Sequence, residues 1–396
     1  MMKKIICILH GLTDAPLRDL GGLTPLQKAH CKYLDTLAQR GRCVIVSPPS
    51  IGGLETAFLN MLGLKKGLDA IAQGPLEAYS LGYVLTPDQL AFSVRFISMG
   101  EDIVVDVSDS LLSCCEGKKL CRDLNVELGN LGCHFLHLKG PKAVLLIENP
   151  AFRSVFPQSY SNPIKAIGKR WDSLLFGEKR NEEVYSLMKR IFDILSHHEV
   201  NELKMDFEEV PANGLLIFNG GSKPDISLSP GCIDLSKVQL YTTSPESIGL
   251  ARMLKMDAFK WAPEKRKYEH LIMILGKLDN IFLEKDILII EVHHLWNSTY
   301  NGDLLEKVKC IEWLDRYVIK HLMYYCDVHD RQLTILPLRH SNINMGELLF
   351  GNVPAVVFSN LHKGREAHSF DENLLELPLE KSPLADLFHL ESVAIN

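Results

Sequence analysis

The sequence predicts an α/β fold with a central, mostly parallel sheet and an inserted α+β domain. Three observations predict it. The run Ile5-Ile6-Cys7-Ile8-Leu9 ends at His10-Gly11, and five consecutive apolar residues closed by a glycine turn read as a strand buried on both faces, with its carboxyl end opening into a site. Similar runs alternate with helical patterns toward both ends of the chain. Between them, from about Gly82 to His137, the pattern changes to short hairpin-like strands, which marks an insertion. The predicted division is a core of 1–81 and 212–396 and an inserted domain of 82–211. A length of 396 residues also favours two domains, or one large domain carrying an insertion.

Each element has a local reason. Thr24-Pro25-Leu26-Gln27 opens a helix with Thr as N-cap, Pro at its first position and Gln completing a capping box. Leu26, Ala29, Leu34, Leu37 and Ala38 give it one apolar face, and Gly41 ends it before a strand at Cys43 to Val46. The turn-rich loop Ser47 to Thr56 feeds a helix at Ala57 to Leu62. The insertion offers strands at Ala91 to Phe96, Ile103 to Val107, Cys133 to His137 and Ala143 to Ile147, then a helix from Glu182 to Leu195. The alternation is expected to resume at Ala212, with strands at Leu215 to Phe218, Ile287 to Val292, Leu333 to Leu336 and Val353 to Phe358. Helices are expected at Ser247 to Leu254 and Leu304 to Ile319, and Ser382-Pro383 is expected to open a C-terminal one.

Composition excludes several classes of function. The net charge is −6 with no long Lys/Arg cluster, so neither a nucleic acid nor an anionic membrane is an expected partner. No stretch approaches the roughly 20 apolar residues of a membrane span, and the N-terminal apolar run is too short for a secretory signal. The ten cysteines are scattered, and Cys114, Cys115, Cys121 and Cys133 lack paired C-x-x-C spacing, which reads as reduced thiols in a cytoplasmic protein rather than a zinc site.

The residues that carry chemistry lie in loops. Glu55 and Thr56 follow Gly52-Gly53-Leu54 at a helix start, where unpaired N–H groups favour an anion or a nucleophile, although helix capping explains them equally. His10, His293, His294 and His340 all fall at predicted carboxyl ends of strands, as ligands of one transition metal or as hydrogen-bonded filling. Arg339, with Arg95 or Lys142, suits an anion pocket, and ordinary ion pairing is the alternative. Asp14 reads as a turn residue.

These landmarks resemble the archaeal-type cofactor-independent phosphoglycerate mutases of the alkaline phosphatase superfamily. The resemblance is carried by Gly21-Gly22-Leu23-Thr24-Pro25-Leu26, by Glu55-Thr56-Ala57-x-Leu59-x-x-Leu62-Gly63, by Gln73-Gly74-Pro75-Leu76-Glu77-Ala78 and by Leu90-Ala91-Phe92-x-Val94-x-Phe96. It implies an alkaline-phosphatase-like three-layer core, a serine nucleophile and two divalent metals, usually Mn²⁺. Several of the implied positions hold other residues. The nucleophilic serine is Leu54, the Asp after the first strand is His10, two further ligands are Trp296 and Tyr300, and an Asp before the retained His340 is Arg339. The family's substrate-gripping arginines are also absent after Asp106, where Val107-Ser108-Asp109-Ser110-Leu111 stand. A guanidinium at about 4 Å from a divalent ion is repelled by roughly 8 kcal/mol at an effective dielectric near 20.

The reading that follows is a noncatalytic homologue without metal, a binding or regulatory scaffold for a protein partner or a small phosphorylated anion. The alternative is an active phosphoglycerate mutase or related phosphotransferase with relocated groups. In that reading Thr56 is the nucleophile, His10, His293 and His340 are ligands, and the metal is Mn or Zn.

Overall fold

The computed structural model describes residues 2–48, 54–63, 71–149, 152, 163–176, 180–224, 226, 233–260, 269–360 and 367–384. The chain divides into two compact units, Met1–Asp69 with Ile226–Asn396, and Ala70–Asp225. The strands in chain order are β1 (Lys4–Leu9), β2 (Arg42–Ser47), β3 (Leu90–Gly100), β4 (Ile103–Asp106), β5 (Cys133–Lys139), β6 (Lys142–Ile147) and β7 (Gly214–Gly221). They continue with β8 (Val238–Thr242), β9 (Asp257–Lys260), β10 (Ile287–Val292), β11 (Gln332–Leu336), β12 (His340–Asn342), β13 (Glu347–Leu349), β14 (Val353–Phe358) and β15 (Lys381–Pro383).

The first unit is built on an eight-stranded sheet of order β15-β2-β14-β11-β1-β10-β8-β9. The pairs β11–β1, β1–β10, β10–β8, β8–β9 and β15–β2 run parallel, and only β14 runs against its neighbours β11 and β2. Every residue of β1 is buried, because covered parallel strands must be apolar on both faces. Ile5, Cys7 and Leu9 join a cluster with Leu34, Leu37, Phe282, Ile311 and Leu322 from helices on one face. Ala57, Phe58, Ile248 and Leu250, buried on the helices Leu54–Met61 and Pro245–Met253, stand outside that cluster, and these two helices pack on each other. The result is an α/β core with a mostly parallel sheet and helices packed about it.

The second unit centres on β3, the long strand that pairs antiparallel with β4, β6 and β7. β5 has β6 as its strand neighbour, and the Asn125 amide donates to the Phe135 carbonyl at 2.9 Å and accepts its N–H at 2.6 Å. Phe92, Phe96, Leu120, Leu124, Trp171 and Phe192 lie in the core of this unit. The helix Gln73–Ser80 packs on β3 and β7.

Several predicted elements are corrected. The strand near Leu215 belongs to the second unit, because it pairs with β3 rather than with the parallel sheet. The helix expected to run from Pro25 toward Gly41 is two helices, Pro25–Lys28 and Lys32–Arg40. The Thr24 capping box is present, while the second helix takes its cap from far along the chain. Both Asp315 carboxylate oxygens accept from Tyr33 N–H at 3.1 Å, and one accepts from Leu34 N–H at 2.7 Å. The helix from Leu304 continues past Ile319 to Val328 through a π-helical turn at Asp315–Ile319. Ser382-Pro383 lies in β15, not at a helix start. The helix Cys114–Leu128 and strands β8 and β9 were not predicted. Among the described residues no helix is long and apolar enough to cross a membrane.

Burial pushes the Asp315 carboxyl up, against the pull of the two amides. Asp315→Ala removes the cap and leaves two N–H groups without it, so thermal unfolding followed by circular dichroism should report a loss of about 1–3 kcal/mol; an unchanged midpoint would show the contact to be incidental.

Candidate active site

The site lies where β1, β10 and β8 end side by side. Their parallel register sets Ile8 against Glu291 and Ile290 against Tyr241, so Glu291 and Thr242 stand level with Ile8, and His10 follows two residues on. His10 Nε2 lies 2.8 Å from Glu291 Oε1, and His293 Nε2 lies 3.4 Å from Glu291 Oε2. Thr242 Oγ1 donates to the same carboxylate at 2.6 Å. The two imidazoles stack with centroids 4.3 Å apart. Gly11 permits this closeness, since its φ is +84° and a Cβ there would stand 2.9 Å from Trp296 N.

Electrostatics of the cluster follow from burial and pairing. Burial pushes the Glu291 carboxyl up, but His293 and His10 outweigh it and hold it well below the usual range. Burial, reinforced by His293, lowers His10 against the pull of Glu291. A carboxylate wholly inside a sheet is tolerated only when its lone pairs are matched, and here three side chains match them.

The donor set fits one divalent cation. Ligand atoms of His10, Glu291 and His293 all lie within 4.8 Å of one another, two imidazoles and one carboxylate suit a borderline transition ion, and His10 Nδ1 is buried without a hydrogen-bond partner among the described residues. No second such cluster occurs among the described residues.

Beside it lies a second buried network. Lys307 Nζ, its side chain fully buried, pairs with Asp14 and donates to Thr299 Oγ1 and Ser341 Oγ, both at 2.8 Å. Ser341 Oγ donates to the Thr13 carbonyl at 2.7 Å. The Asp14 carboxylate also accepts from the N–H groups of Ala15 and Ile343. Glu372 accepts from Asp14 N–H at 2.9 Å and from Thr24 Oγ1 at 2.7 Å, and burial raises its carboxyl to about 7 despite those donors.

The sequence-predicted residues divide accordingly. His10 and His293 come together, and Glu291, which sequence reasoning missed, joins them. Its signal was one carboxylate inside the apolar run Ile287 to Val292. His294 heads the helix His294–Tyr300 outside the cluster. His340 starts β12, where its Nε2 bonds the Asn352 carbonyl, and it does not join the cluster. Trp296 and Tyr300 meet edge-on at 6.0 Å in the helix after β10. Arg339 is buried under the Phe350 ring, 4.4 Å from its centroid. Arg95 and Lys142 face each other across β3 and β6 and converge on Asp109, at 2.7 and 3.6 Å, in the Ala70–Asp225 unit. Leu54 begins its helix and Thr56, two residues on, is buried. The side chain of Glu55 and residue Ser50 lie outside the described residues.

A mostly parallel core with donors gathered at its carboxyl edge, interrupted in sequence by a second unit, defines an α/β protein of two units. Residues 38–201 match the family model described as 2,3-bisphosphoglycerate-independent phosphoglycerate mutase. Over 94% of its length the chain is 26% identical to phosphoglycerate mutase 2 of Methanothermobacter thermautotrophicus, covering 92% of that protein. Over 84% it is 27% identical to the corresponding mutase of Thermococcus kodakarensis, covering 82% of it. In structure it is similar to a Pyrococcus horikoshii protein (TM-score 0.75, 19% identity, 100% and 99% coverage). It is also similar to the cofactor-independent phosphoglycerate mutase of Thermoplasma acidophilum (TM-score 0.55, 22% identity, 98% of each chain). The chain is thus similar to the cofactor-independent phosphoglycerate mutases over most of its length.

This overturns the expectation of a noncatalytic scaffold. The relatives that match at 26–27% over most of the chain are named as phosphoglycerate mutases. The expectation that a metal site is lost has no support either, because it rested on the positions of Leu54, Trp296, Tyr300 and Arg339 and did not include Glu291.

Two measurements check the buried network. Lys307→Met strands the Asp14 charge and should cost about 3–5 kcal/mol in urea unfolding, with part of the loss recovered in a double variant that also carries Asp14→Leu. Glu372 keeps its proton to higher pH folded than unfolded, so its stabilisation is present below about pH 4.5 and lost as pH rises through about 7. Urea midpoints across that window should fall more in the wild type than in Glu372→Gln; equal slopes would refute the assignment.

Proposed function

We propose that the protein is a metal-dependent phosphoglycerate mutase, or a closely related phosphotransferase, that interconverts 2- and 3-phosphoglycerate with relocated site groups. The observation that carries the reading is the His10–Glu291–His293 cluster at the carboxyl ends of β1 and β10, in a chain whose named relatives are mutases. His10, Glu291 and His293 would hold one ion, with Mn or Zn the candidates. Bound there, it would neutralise phosphoryl oxygens and acidify a hydroxyl.

The protein's own groups account for the rest. Thr242 fixes the rotamer of Glu291 through its hydroxyl, and Ser244 N–H holds Thr242 Oγ1 at 3.0 Å, so the carboxylate is oriented from behind. Thr56, in the first turn of the helix Leu54–Met61 and two residues after the position that resembles the family's serine, would supply the hydroxyl and give up its proton. Its oxygen would form the new bond to phosphorus as the substrate's ester bond breaks, and the released hydroxyl would take up a proton. Return of the phosphoryl group to the other hydroxyl of glycerate completes the exchange. A cytoplasmic setting and reduced thiols fit this reading, since the described cysteines are free.

The test is conversion of 3-phosphoglycerate to 2-phosphoglycerate by the purified chain, with metal analysis. Activity should be restored after chelation by Mn²⁺ or Zn²⁺, with about one ion per chain. Glu291→Gln should lower metal content and cut kcat/KM by about 100-fold or more, while Thr56→Ala abolishes turnover and Thr56→Ser retains part of it. No conversion by the metal-loaded wild type, or full activity in Thr56→Ala, would sink the proposal.

A further inference from the structure

A groove of about 460 Å³ opens in the Ala70–Asp225 unit between the helix Cys114–Leu128 and β5, with the turn Leu81 to Tyr83 completing its wall. Lys118 and Arg122, one helical turn apart, line one side, and His134 and His137 line the other. No Asp or Glu lines it, although the chain as a whole carries net charge −6.

Two of its four cationic and imidazole groups are open to a ligand. The side chains of Lys118 and His134 form no hydrogen bond or ion pair among the described residues. Arg122 meets both oxygens of Asp123, at 2.8 Å through Nε and 3.5 Å through Nη2, and that carboxylate is shared with His198 at 3.1 Å, while the guanidinium itself stays exposed. His137 Nε2 lies 3.1 Å from the Gly140 carbonyl. Burial lowers His137, with Lys118 adding to the effect, so the fixed positive charges at neutral pH are those of Lys118 and Arg122.

The walls are rigid. A Cβ on Gly117 would stand 2.3 Å from the Gly140 carbonyl, so the helix and the turn after β5 are in contact. Tyr83 is pinned through its hydroxyl, which accepts from Gln89 Nε2 at 2.9 Å, while the same amide donates to Glu148 at 3.1 Å. Cys121, at the base, has its thiol pushed up to about 12 by burial, which leaves no thiolate for a metal.

We propose that this groove binds a phosphate ester of mononucleotide size, its phosphoryl group between Lys118 and Arg122 and its flat apolar part against Tyr83. The volume suits such a ligand, paired cations with the His134 imidazole suit a phosphate, and an aromatic wall suits a ring. The groove lies within one unit and shares no residue with the His10 cluster, so it is independent of the proposed reaction.

Calorimetry with the full chain tests it, using adenosine monophosphate, adenosine and inorganic phosphate as probes. The monophosphate should saturate one site at least about tenfold more tightly than either fragment. The double substitution Lys118→Ala, Arg122→Ala should weaken it by about tenfold or more, and Tyr83→Leu should erase its advantage over phosphate. Both cationic side chains are exposed, and Lys118→Arg should retain binding, which separates recognition from misfolding. Monophosphate binding should also raise the His137 titration midpoint seen by NMR and should persist in His10→Ala. No saturation at millimolar monophosphate, affinity equal to that of phosphate, indifference to the double substitution, or loss of binding in His10→Ala would each overturn the assignment.

Discussion

The first unit depends on the buried pair between Lys307 and Asp14. Both side chains are fully enclosed, where an unmatched charge is prohibitive and a matched one requires every lone pair and proton to be met. Thr299, Ser341 and the N–H groups of Ala15 and Ile343 meet them. These partners come from the loop after β1, the helices on either side of Gly302, and the segment that carries β12. One interaction therefore fixes the relative placement of three stretches of chain, around Asp14, Thr299 to Lys307 and Ser341. The loop it fixes begins at His10, so the metal-competent cluster inherits its geometry.

The cluster draws on strand ends rather than on the positions that resemble the family's ligands. The positions that resemble ligand positions now hold Trp296, Tyr300 and Arg339, and these are engaged elsewhere. Trp296 and Tyr300 pack on each other, and Arg339 lies under Phe350. The donors that do converge sit lower, at the strand ends themselves. Glu291 belongs to β10, and His10 and His293 follow β1 and β10 directly. Strand ends in a parallel sheet are held by register as well as by side-chain packing, which gives such donors little freedom to spread.

Much of the fold was legible in the sequence because its causes are local. β1, β10, β11 and β14 are short apolar runs, and the Thr24 capping box is a four-residue signal. What escaped depended on distant residues. The break between Lys28 and Lys32 is stabilised by Asp315, some 280 residues away. The strand after Ala212 has the composition of a core strand, yet it pairs with β3, and composition does not name a partner. In the site, His10 and His293 were visible as polar residues at strand ends. Glu291 was hidden by its place within an apolar run, where a carboxylate suggests nothing until the register sets it beside two imidazoles. His340 misled for the opposite reason: its sequence context resembles a ligand, but its ring is taken by a backbone carbonyl.

The amide of Asn125 has a consequence beyond the helix that carries it. By gripping both polar groups of Phe135, it plugs the outer rim of β5 with a side chain shaped like another peptide unit. An intruding chain from a second molecule finds that rung of the ladder already taken. At that rung the outermost strand therefore offers a newcomer neither a donor nor an acceptor.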